Sequence, residues 1–183
     1  GVPGKVDMRL GDVVVSTEVV QYDFGKTIAH GHFQRTGTLN KPPQALMTAV
    51  AKLQADHRTE PSTSIPSILS KMLERYPAMI DFTHPGILQD QLFDGKYDHP
   101  QHFNNCESCD ASRLVSRPAR DNTNPRIHCG MIASGKQVMK HGGTRDQLAK
   151  ELDVLCFEME AAGLMDSLPC LVVRGICDYA DSH

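Results

Sequence analysis

Two short apolar runs near the C-terminal end, each followed by acidic residues, constrain the fold of this chain most strongly. The first spans Val154 to Phe157 and leads into Glu158 and Glu160. The second spans Cys170 to Ile176, is rich in Val, Leu and Ile, and leads into Asp178. Between the runs, apolar residues recur at the spacing of one helix face: Ala161, Leu164, Met165 and Leu168. A strand, a helix and a buried parallel strand are typical of an α/β protein, which presents polar groups at the ends of its strands.

Carboxylates that follow buried strands need partners, because an ionised carboxylate is costly to remove from water. Glu160 could accept hydrogen bonds from sugar hydroxyls above Met159, and Asp178 could donate a proton to a leaving group. The same spacing also suits a purely structural role. Glu158 and Glu160 would then begin a helix, and Asp178 would cap the next one. The residues alone leave both interpretations open.

Four separated segments carry a resemblance to a known family: Arg9 to Ser16, Gly130 to Gly135, Phe157 to Ala162, and Arg174 to Asp181. On these segments the chain resembles the nucleoside phosphorylase and nucleosidase superfamily, in particular the purine nucleoside phosphorylase and methylthioadenosine nucleosidase group. The resemblance spans residues 1–183 and is strongest to copies of this domain in large intracellular receptor-like proteins. It implies a three-layer α/β/α domain with a mixed central sheet.

The resemblance also implies roles for individual side chains. Glu160 matches the glutamate that binds the ribose hydroxyls, and Met159 matches the methionine that packs on the ribose. Asp178 matches the acid that meets purine N7 as the glycosidic bond breaks. The other implied substrate-binding positions are Val138 and Met139, where the family lines the base pocket, together with Ser134, Glu158 and Arg174.

The implied activity is cleavage of the N-glycosidic bond of a purine nucleoside or nucleotide, by a nucleosidase (an N-glycosyl hydrolase) or a nucleoside phosphorylase (a pentosyltransferase). The reaction passes through an oxocarbenium-like state, so it needs a protonated leaving base and negative charge near the sugar. No organic cofactor and no metal is implied. The rivals are a non-catalytic nucleoside-binding module of a multidomain receptor-like protein and an inactive truncated remnant.

The family's N-terminal strands and C-terminal helix have no counterpart in this sequence, so we expect a truncated copy. The sequence therefore does not distinguish hydrolysis from phosphorolysis, and phosphate stays open as a second substrate. The resemblance further implies a homo-oligomer or a part of a larger multidomain protein.

The composition excludes several other partners. With 183 residues the chain fits one domain, and its net charge of -3 gives no footprint for nucleic acid or an anionic membrane. No apolar run approaches the length of a membrane span. Six cysteines, scattered rather than regularly spaced, suit a reducing cytoplasm.

The middle of the chain predicts helices and a loop. One helix begins at Pro42-Pro43 and ends near His57, and a second covers Ser64 to Arg75; both should pack against the core. A third, from Thr144 to Glu151, has Thr144 as its expected cap. Residues 94–124 are rich in Asn, Asp, Ser and Pro and predict a surface insertion.

The predicted insertion contains two features of uncertain role. His99, His102, Cys106 and Cys109 could hold zinc, but only three residues separate the two ligand pairs, so reduced thiols in a solvated loop are the simpler interpretation. Three arginines of this segment, Arg113, Arg117 and Arg120, could face a substrate phosphate together with Lys136 and Lys140, which follow the insertion; solvated surface charge is the simpler interpretation.

Overall fold

A four-stranded mixed sheet forms the centre of the protein. The computed structural model describes residues 1–36, 39–59, 64–84, 86, 88–102 and 105–183. In chain order the strands are β1 (Val13–Gln21), β2 (Gly25–Thr27), β3 (Phe33–Arg35), β4 (Ile127–Ser134), β5 (Val154–Glu158) and β6 (Val173–Gly175). The central sheet has the order β5-β4-β1-β6, and β2 pairs with β3 in a separate hairpin. Strands β1, β4 and β5 run parallel, whereas β6 runs antiparallel to β1.

Helices cover both faces of this sheet. The α-helices are α1 (Gln44–Thr59), α2 (Ser64–Arg75), α3 (Gly142–Leu152) and α4 (Ala161–Leu164). Val19 of β1 pairs with Ile132 of β4, so their side chains share one face, and Ala161 of α4 packs against Val19 on that face. Ala133 points to the opposite face, where it packs with Leu148 of α3. This arrangement confirms the predicted α/β fold with a mixed sheet.

The buried core lies where the parallel strands are longest. Its largest cluster consists of Met8, Val14, Ile132, Leu155, Cys156 and Ile176. Close approach of two strands depends on Gly130, because a Cβ at this position would lie 2.5 Å from Leu155 Cδ1. The glycine therefore leaves room for the buried Leu155 side chain to pack over β4.

Two expectations about the elements near the site are wrong. The run from Cys170 to Ile176 forms only the three-residue strand β6, which is antiparallel and leaves Val173 54% exposed. Alternation and apolar content predict a strand but do not fix its direction, which depends on the partner. The third helix begins at Gly142 rather than Thr144, and the His141 side chain caps it by accepting a hydrogen bond from the Thr144 N–H.

The two predicted amphipathic helices form with the expected bounds but do not enter the core. Every residue of α1 and α2 whose burial is described is exposed or half-buried, including Leu53 at 54% and Ile68 at 63% exposure. The apolar stripe that predicts such a helix gives no information about what covers it. The expectation that α1 and α2 pack against the core is therefore wrong for the described residues.

Residues 94–124 are fixed by short 3-10 helices and ion pairs. The helices cover Cys106–Ser108 and Ala111–Arg113, and residues 103 and 104 lie outside the described residues. The three arginines of this segment each meet a carboxylate: Arg113 pairs with Asp94, Arg117 with Asp90, and Arg120 with Asp7 and Asp12. The expectation of solvated surface charge is therefore wrong for Arg117 and Arg120, which are largely buried, but describes Arg113, which is 41% exposed.

Within the part of the chain that the structure describes, no helix has the length and apolar character needed to cross a membrane.

Candidate active site

Seven of the eight side chains predicted for the site line one cavity of about 170 Å³. We call it the Glu160 cavity; its predicted members are Val138, Met139, Glu158, Met159, Glu160, Arg174 and Asp178. Strands β5 and β6, which precede the two acidic segments, lie at opposite edges of the sheet and run in opposite directions. Residues 1 and 2 bridge the gap, because the Val2 N–H donates to the Leu155 carbonyl and the Gly1 nitrogen donates to the Asp178 carbonyl.

Glu158 shapes the turn that carries the site. It ends β5, is 5% exposed, and its Oε2 accepts hydrogen bonds of 2.9 Å from the N–H groups of Glu160 and Ala161. This capping fixes the chain direction as α4 begins, so Met159 and Glu160 project beside the cavity. Glu158 therefore has the structural role that the sequence also suggests as an alternative, at the beginning of a helix. The second carboxylate oxygen, Oε1, is buried and accepts no hydrogen bond from any described residue.

Glu160 has its carboxylate at the surface of the cavity. Its Oε2 lies 3.3 Å from Arg174 Nη1, and the two side chains are 59% and 42% exposed. The hydrogen bond from the Met159 N–H, followed by the positive charge of Arg174, lowers the pKa of Glu160. An exposed pair of this kind is weak, so a ligand hydroxyl can compete with the guanidinium for the carboxylate.

Asp178 lies in a tight turn that follows β6. Its Oδ1 accepts a hydrogen bond of 2.8 Å from the Ala180 N–H, and Ala180 has a φ of 53°. The side chain is 59% exposed, so the carboxylate can meet a ligand. The alternative expectation, that Asp178 caps a helix, has no support among the described residues, because the residues that follow it form a turn.

Arg145 holds this turn in place from inside the protein. Its side chain is 2% exposed, and Nη1 donates to the Tyr179 carbonyl at 2.7 Å and to Asp181 Oδ2 at 3.0 Å. Arg117 adds a hydrogen bond of 2.6 Å to the Tyr179 hydroxyl. Sequence reasoning missed Arg145, since an arginine in the first turns of a polar helix is usually solvated and nothing local identifies a partner 34 residues away.

Ser134 differs from the other predicted residues because it lies behind the cavity. It is fully buried in β4, and its Oγ accepts a hydrogen bond of 2.9 Å from the Ala162 N–H. Ser134 is absent from the described residues that line the Glu160 cavity. This hydrogen bond holds α4 against the sheet. Contact of Ser134 with substrate stays a prediction.

Val138 and Met139 form the apolar side of the cavity. Val138 is 61% exposed, whereas Met139 is half-buried and packs against the cluster of Tyr22, Ala133 and Val154. Met159 adds a second apolar surface, 45% exposed, next to Glu160. The cavity therefore combines acidic groups with two apolar surfaces, an arrangement suited to a small ligand with both hydroxyls and a flat apolar part.

Comparison with known proteins identifies the family. The chain belongs to the phosphorylase superfamily, whose model matches residues 1–183. A nucleotide-binding leucine-rich repeat (NLR)-like protein of Hyaloscypha variabilis is 39% identical over 183 residues, which is 97% of this chain and 18% of that protein. The chain therefore spans less than a fifth of that relative's length.

Solved structures show a weaker likeness. A mutant 5'-methylthioadenosine nucleosidase of Helicobacter pylori with 5'-methylthioadenosine in its active site is 18% identical with a TM-score of 0.48, over 96% of this chain and 51% of that one. The native futalosine hydrolase of the same organism is 18% identical with a TM-score of 0.45, over 96% and 51%. At these values the likeness carries no argument about the site.

Proposed function

We propose that this domain cleaves the N-glycosidic bond of a purine nucleoside or nucleotide in the Glu160 cavity. The observation that carries the proposal is that Glu160 and Asp178, which come from opposite edges of the sheet, line the same cavity with exposed carboxylates. Membership of the phosphorylase superfamily supports this general kind of chemistry.

In the proposed reaction, Glu160 accepts hydrogen bonds from the ribose hydroxyls and Met159 packs under the sugar ring. The bond between C1' and the purine nitrogen breaks, and its electron pair goes to the base. Asp178 donates a proton to the base, so that a neutral purine leaves. An oxygen of water or phosphate then bonds to C1'; in the hydrolytic case the proton that water loses returns to the Asp178 carboxylate and restores the acid. The negative charge of Glu160 lies near the developing positive charge on the sugar.

The other side chains of the cavity support binding. In this proposal the base lies against Val138 and Met139, and Arg174 releases Glu160 to the sugar. Glu158 Oε1, buried without a partner among the described residues, is available to accept a hydrogen bond from a ligand, which would remove the cost of leaving it unpaired. The volume of about 170 Å³ is below the range of about 300–1,000 Å³ of typical ligand sites, so it matches the sugar better than a whole nucleoside. The base therefore extends over the exposed Val138.

The test is to follow the fate of the ligand. The purified chain is incubated with adenosine, inosine, 5'-methylthioadenosine or AMP, and free base is quantified by chromatography with and without phosphate. Release of adenine or hypoxanthine supports the proposal. Free sugar as the second product indicates hydrolysis, whereas a sugar 1-phosphate indicates phosphorolysis. Absence of base release from every ligand would count against catalysis.

A second candidate is a nucleoside-binding module within a longer receptor-like protein. The observation that favours it is the NLR-like relative, of which this chain covers only 18%. Such a module would bind adenosine and return it unchanged, so calorimetric binding without base release distinguishes it from the enzyme. An assembly of several copies stays a prediction that size-exclusion chromatography with light scattering can check.

A further inference from the structure

His99, Cys106 and Cys109 converge outside the Glu160 cavity. One ligand atom from each side chain, an imidazole nitrogen or a sulfur, lies within 4.8 Å of the others. A tetrahedral zinc with Zn–S bonds of about 2.3 Å separates its sulfurs by about 3.8 Å, so small side-chain rotations would bring these atoms to zinc distances. Within the described part of the chain, no other group of three or more His, Cys, Asp or Glu side chains is this compact.

We propose that His99, Cys106 and Cys109 bind one zinc ion, with a fourth, exchangeable position for water. The sequence pattern suggests His102 as a fourth ligand, but His102 is exposed and lies outside the group. Two thiolates and an imidazole form a soft donor set that selects zinc over the hard cations magnesium and calcium.

The backbone brings the two thiols together without a metal. Asn105 caps the 3-10 helix Cys106–Ser108 by accepting a hydrogen bond from the Glu107 N–H, and the Cys109 N–H donates to the Cys106 carbonyl at 3.1 Å. This single turn places the side chains of Cys106 and Cys109 next to each other. The site therefore requires little ordering when the ion binds.

The His99 ring carries a second, independent sign of a ligand. Its Nδ1 lies 3.0 Å from the Pro100 carbonyl oxygen, and its Nε2 lies 2.9 Å from the Asn105 carbonyl oxygen. A neutral imidazole has one N–H, so it satisfies only one of these contacts and turns a lone pair toward the other oxygen. Metal-binding histidines commonly donate one N–H to a backbone carbonyl, which leaves the other nitrogen for the ion. Coordination by Nε2, with Nδ1–H bonded to Pro100, would use that lone pair once the Asn105 carbonyl oxygen moves aside.

The thiols supply protons that zinc can displace. Burial, with a smaller contribution from the hydrogen bond with Cys109, raises the pKa of the Cys106 thiol to about 11. A divalent cation opposes this effect, because a thiol that coordinates a metal ion loses its proton.

The proposed ion would stabilise a loop that lines a cavity next to Asp178. The His99 N–H donates to Ser182 Oγ at 2.9 Å, which ties the histidine to the segment that follows Asp178. A second cavity, of about 500 Å³, has Cys106 on one side and Asp178 on the other. A loop without its own apolar core gains most from such a cross-link, since the ion limits its disorder.

The experiment measures metal content and ligand identity. We expect the chain, purified under reducing conditions without chelator, to contain about one zinc per molecule by elemental mass spectrometry. After chelation, Co²⁺ should restore visible absorption bands of a tetrahedral thiolate complex, and zinc should displace them. Cys106→Ser and Cys109→Ser should weaken binding by more than about 100-fold.

Matched variants separate loss of a ligand from loss of the fold. Cys129→Ser removes a half-buried thiol of β4 outside the group and should keep full binding. His99→Gln should lose the cobalt bands, whereas His102→Gln should retain them. The proposal is overturned if the reduced wild-type chain takes up no cobalt, if Cys106→Ser binds as tightly as wild type, or if Cys106 and Cys109 form a disulfide under the same reducing conditions.

Discussion

Arg120 forms a two-pronged ion pair with Asp12 inside the protein. Nη1 lies 2.8 Å from Oδ1 and Nη2 lies 2.7 Å from Oδ2, and the side chains are only 10% and 1% exposed. The pair joins the start of β1 to the segment that precedes β4. His128 Nε2 completes the environment at 2.9 Å from Asp12 Oδ2. The carboxylate thus holds three segments of the chain together.

Removal of this carboxylate should destabilise the fold strongly. We expect Asp12→Ala to lower the free energy of unfolding by about 3–5 kcal/mol, because it removes the more deeply buried of the two carboxylates that neutralise Arg120 and leaves only the partly exposed Asp7. Urea denaturation followed by circular dichroism measures the change. Lys52→Ala, which breaks the exposed pair with Asp56, is the matched control and should have a much smaller effect. Similar losses in the two variants would refute this account.

The same carboxylate predicts sensitivity to acid. Burial alone would raise the pKa of Asp12, but hydrogen bonds from Arg120 and then His128 outweigh it and hold the pKa far below the ordinary value. A lowered folded-state pKa contributes stability above the unfolded value of about 3.9, and this stability is lost as the pH falls below it. The free energy of unfolding should therefore begin to drop as the pH falls below about 5 and should continue to drop below about pH 3 in wild type. Asp12→Asn should show a shallower dependence, and equal slopes would contradict the prediction.

Gly130 is expected to tolerate no side chain. Gly130→Ala should cost about 1–3 kcal/mol, because the new methyl group would lie 2.5 Å from Leu155 Cδ1 in the packed core. Gly163→Ala is the control, since nothing lies within 4 Å of a Cβ there and alanine favours helix α4 by up to about 1 kcal/mol. Thermal melting of the two variants should shift in opposite directions. A neutral Gly130→Ala variant would show that β4 and β5 can separate locally.

Asp178→Asn should reduce base release by about 100- to 10,000-fold if the side chain is the general acid. An amide keeps the size and can still accept the Ala180 hydrogen bond, so the fold should persist. Asp166→Asn, which changes an exposed carboxylate beyond α4, should leave the rate unchanged. Turnover of Asp178→Asn at the wild-type rate would remove the proposed role.

Arg145→Lys tests whether the turn that carries Asp178 needs its buried support. Lysine keeps the charge but lacks the guanidinium, in which Nη1 donates to Tyr179 and Asp181 while Nε donates to Asp146. We expect kcat/KM for base release to fall by about 10- to 100-fold through misplacement of Asp178, although Arg145 touches no substrate. Arg75→Lys, an exposed position at the end of α2, is the control. If Arg145→Lys shifts only the melting temperature, its role is structural.

Local patterns were reliable where the structure depends on local physics. The bounds of α2 match the prediction because Pro77 ends the helix, and β5 extends the predicted strand by one residue, Glu158. The acidic residues of the Glu160 cavity could also be identified from the sequence, since each of the two apolar runs is followed directly by its own acidic residues. Sequence reasoning failed where the outcome depends on a distant partner, as for the direction of β6 and the burial of Arg145.

The exposed helices α1 and α2 show the same limit, because a local pattern does not identify the distant residues that would cover a helix. The apolar stripe of α2 is present in the sequence, but the strands and turns that cover a stripe are set by the rest of the fold. His141 illustrates a smaller miss, because histidine is not among the residues usually favoured as caps. Nothing in the sequence indicates the positive φ at Ala180, which lies between two residues, Tyr179 and Asp181, that the buried Arg145 holds in place.

The pairing of Glu160 with Arg174 bears on which molecules the cavity admits. Its wall carries the carboxylates of Glu158, Glu160 and Asp178 against the single guanidinium of Arg174. An incoming phosphate ester would meet excess negative charge there, whereas an uncharged nucleoside would not. If the proposed nucleoside reaction takes place here, this electrostatic filter favours adenosine over AMP before any contact with the base is made.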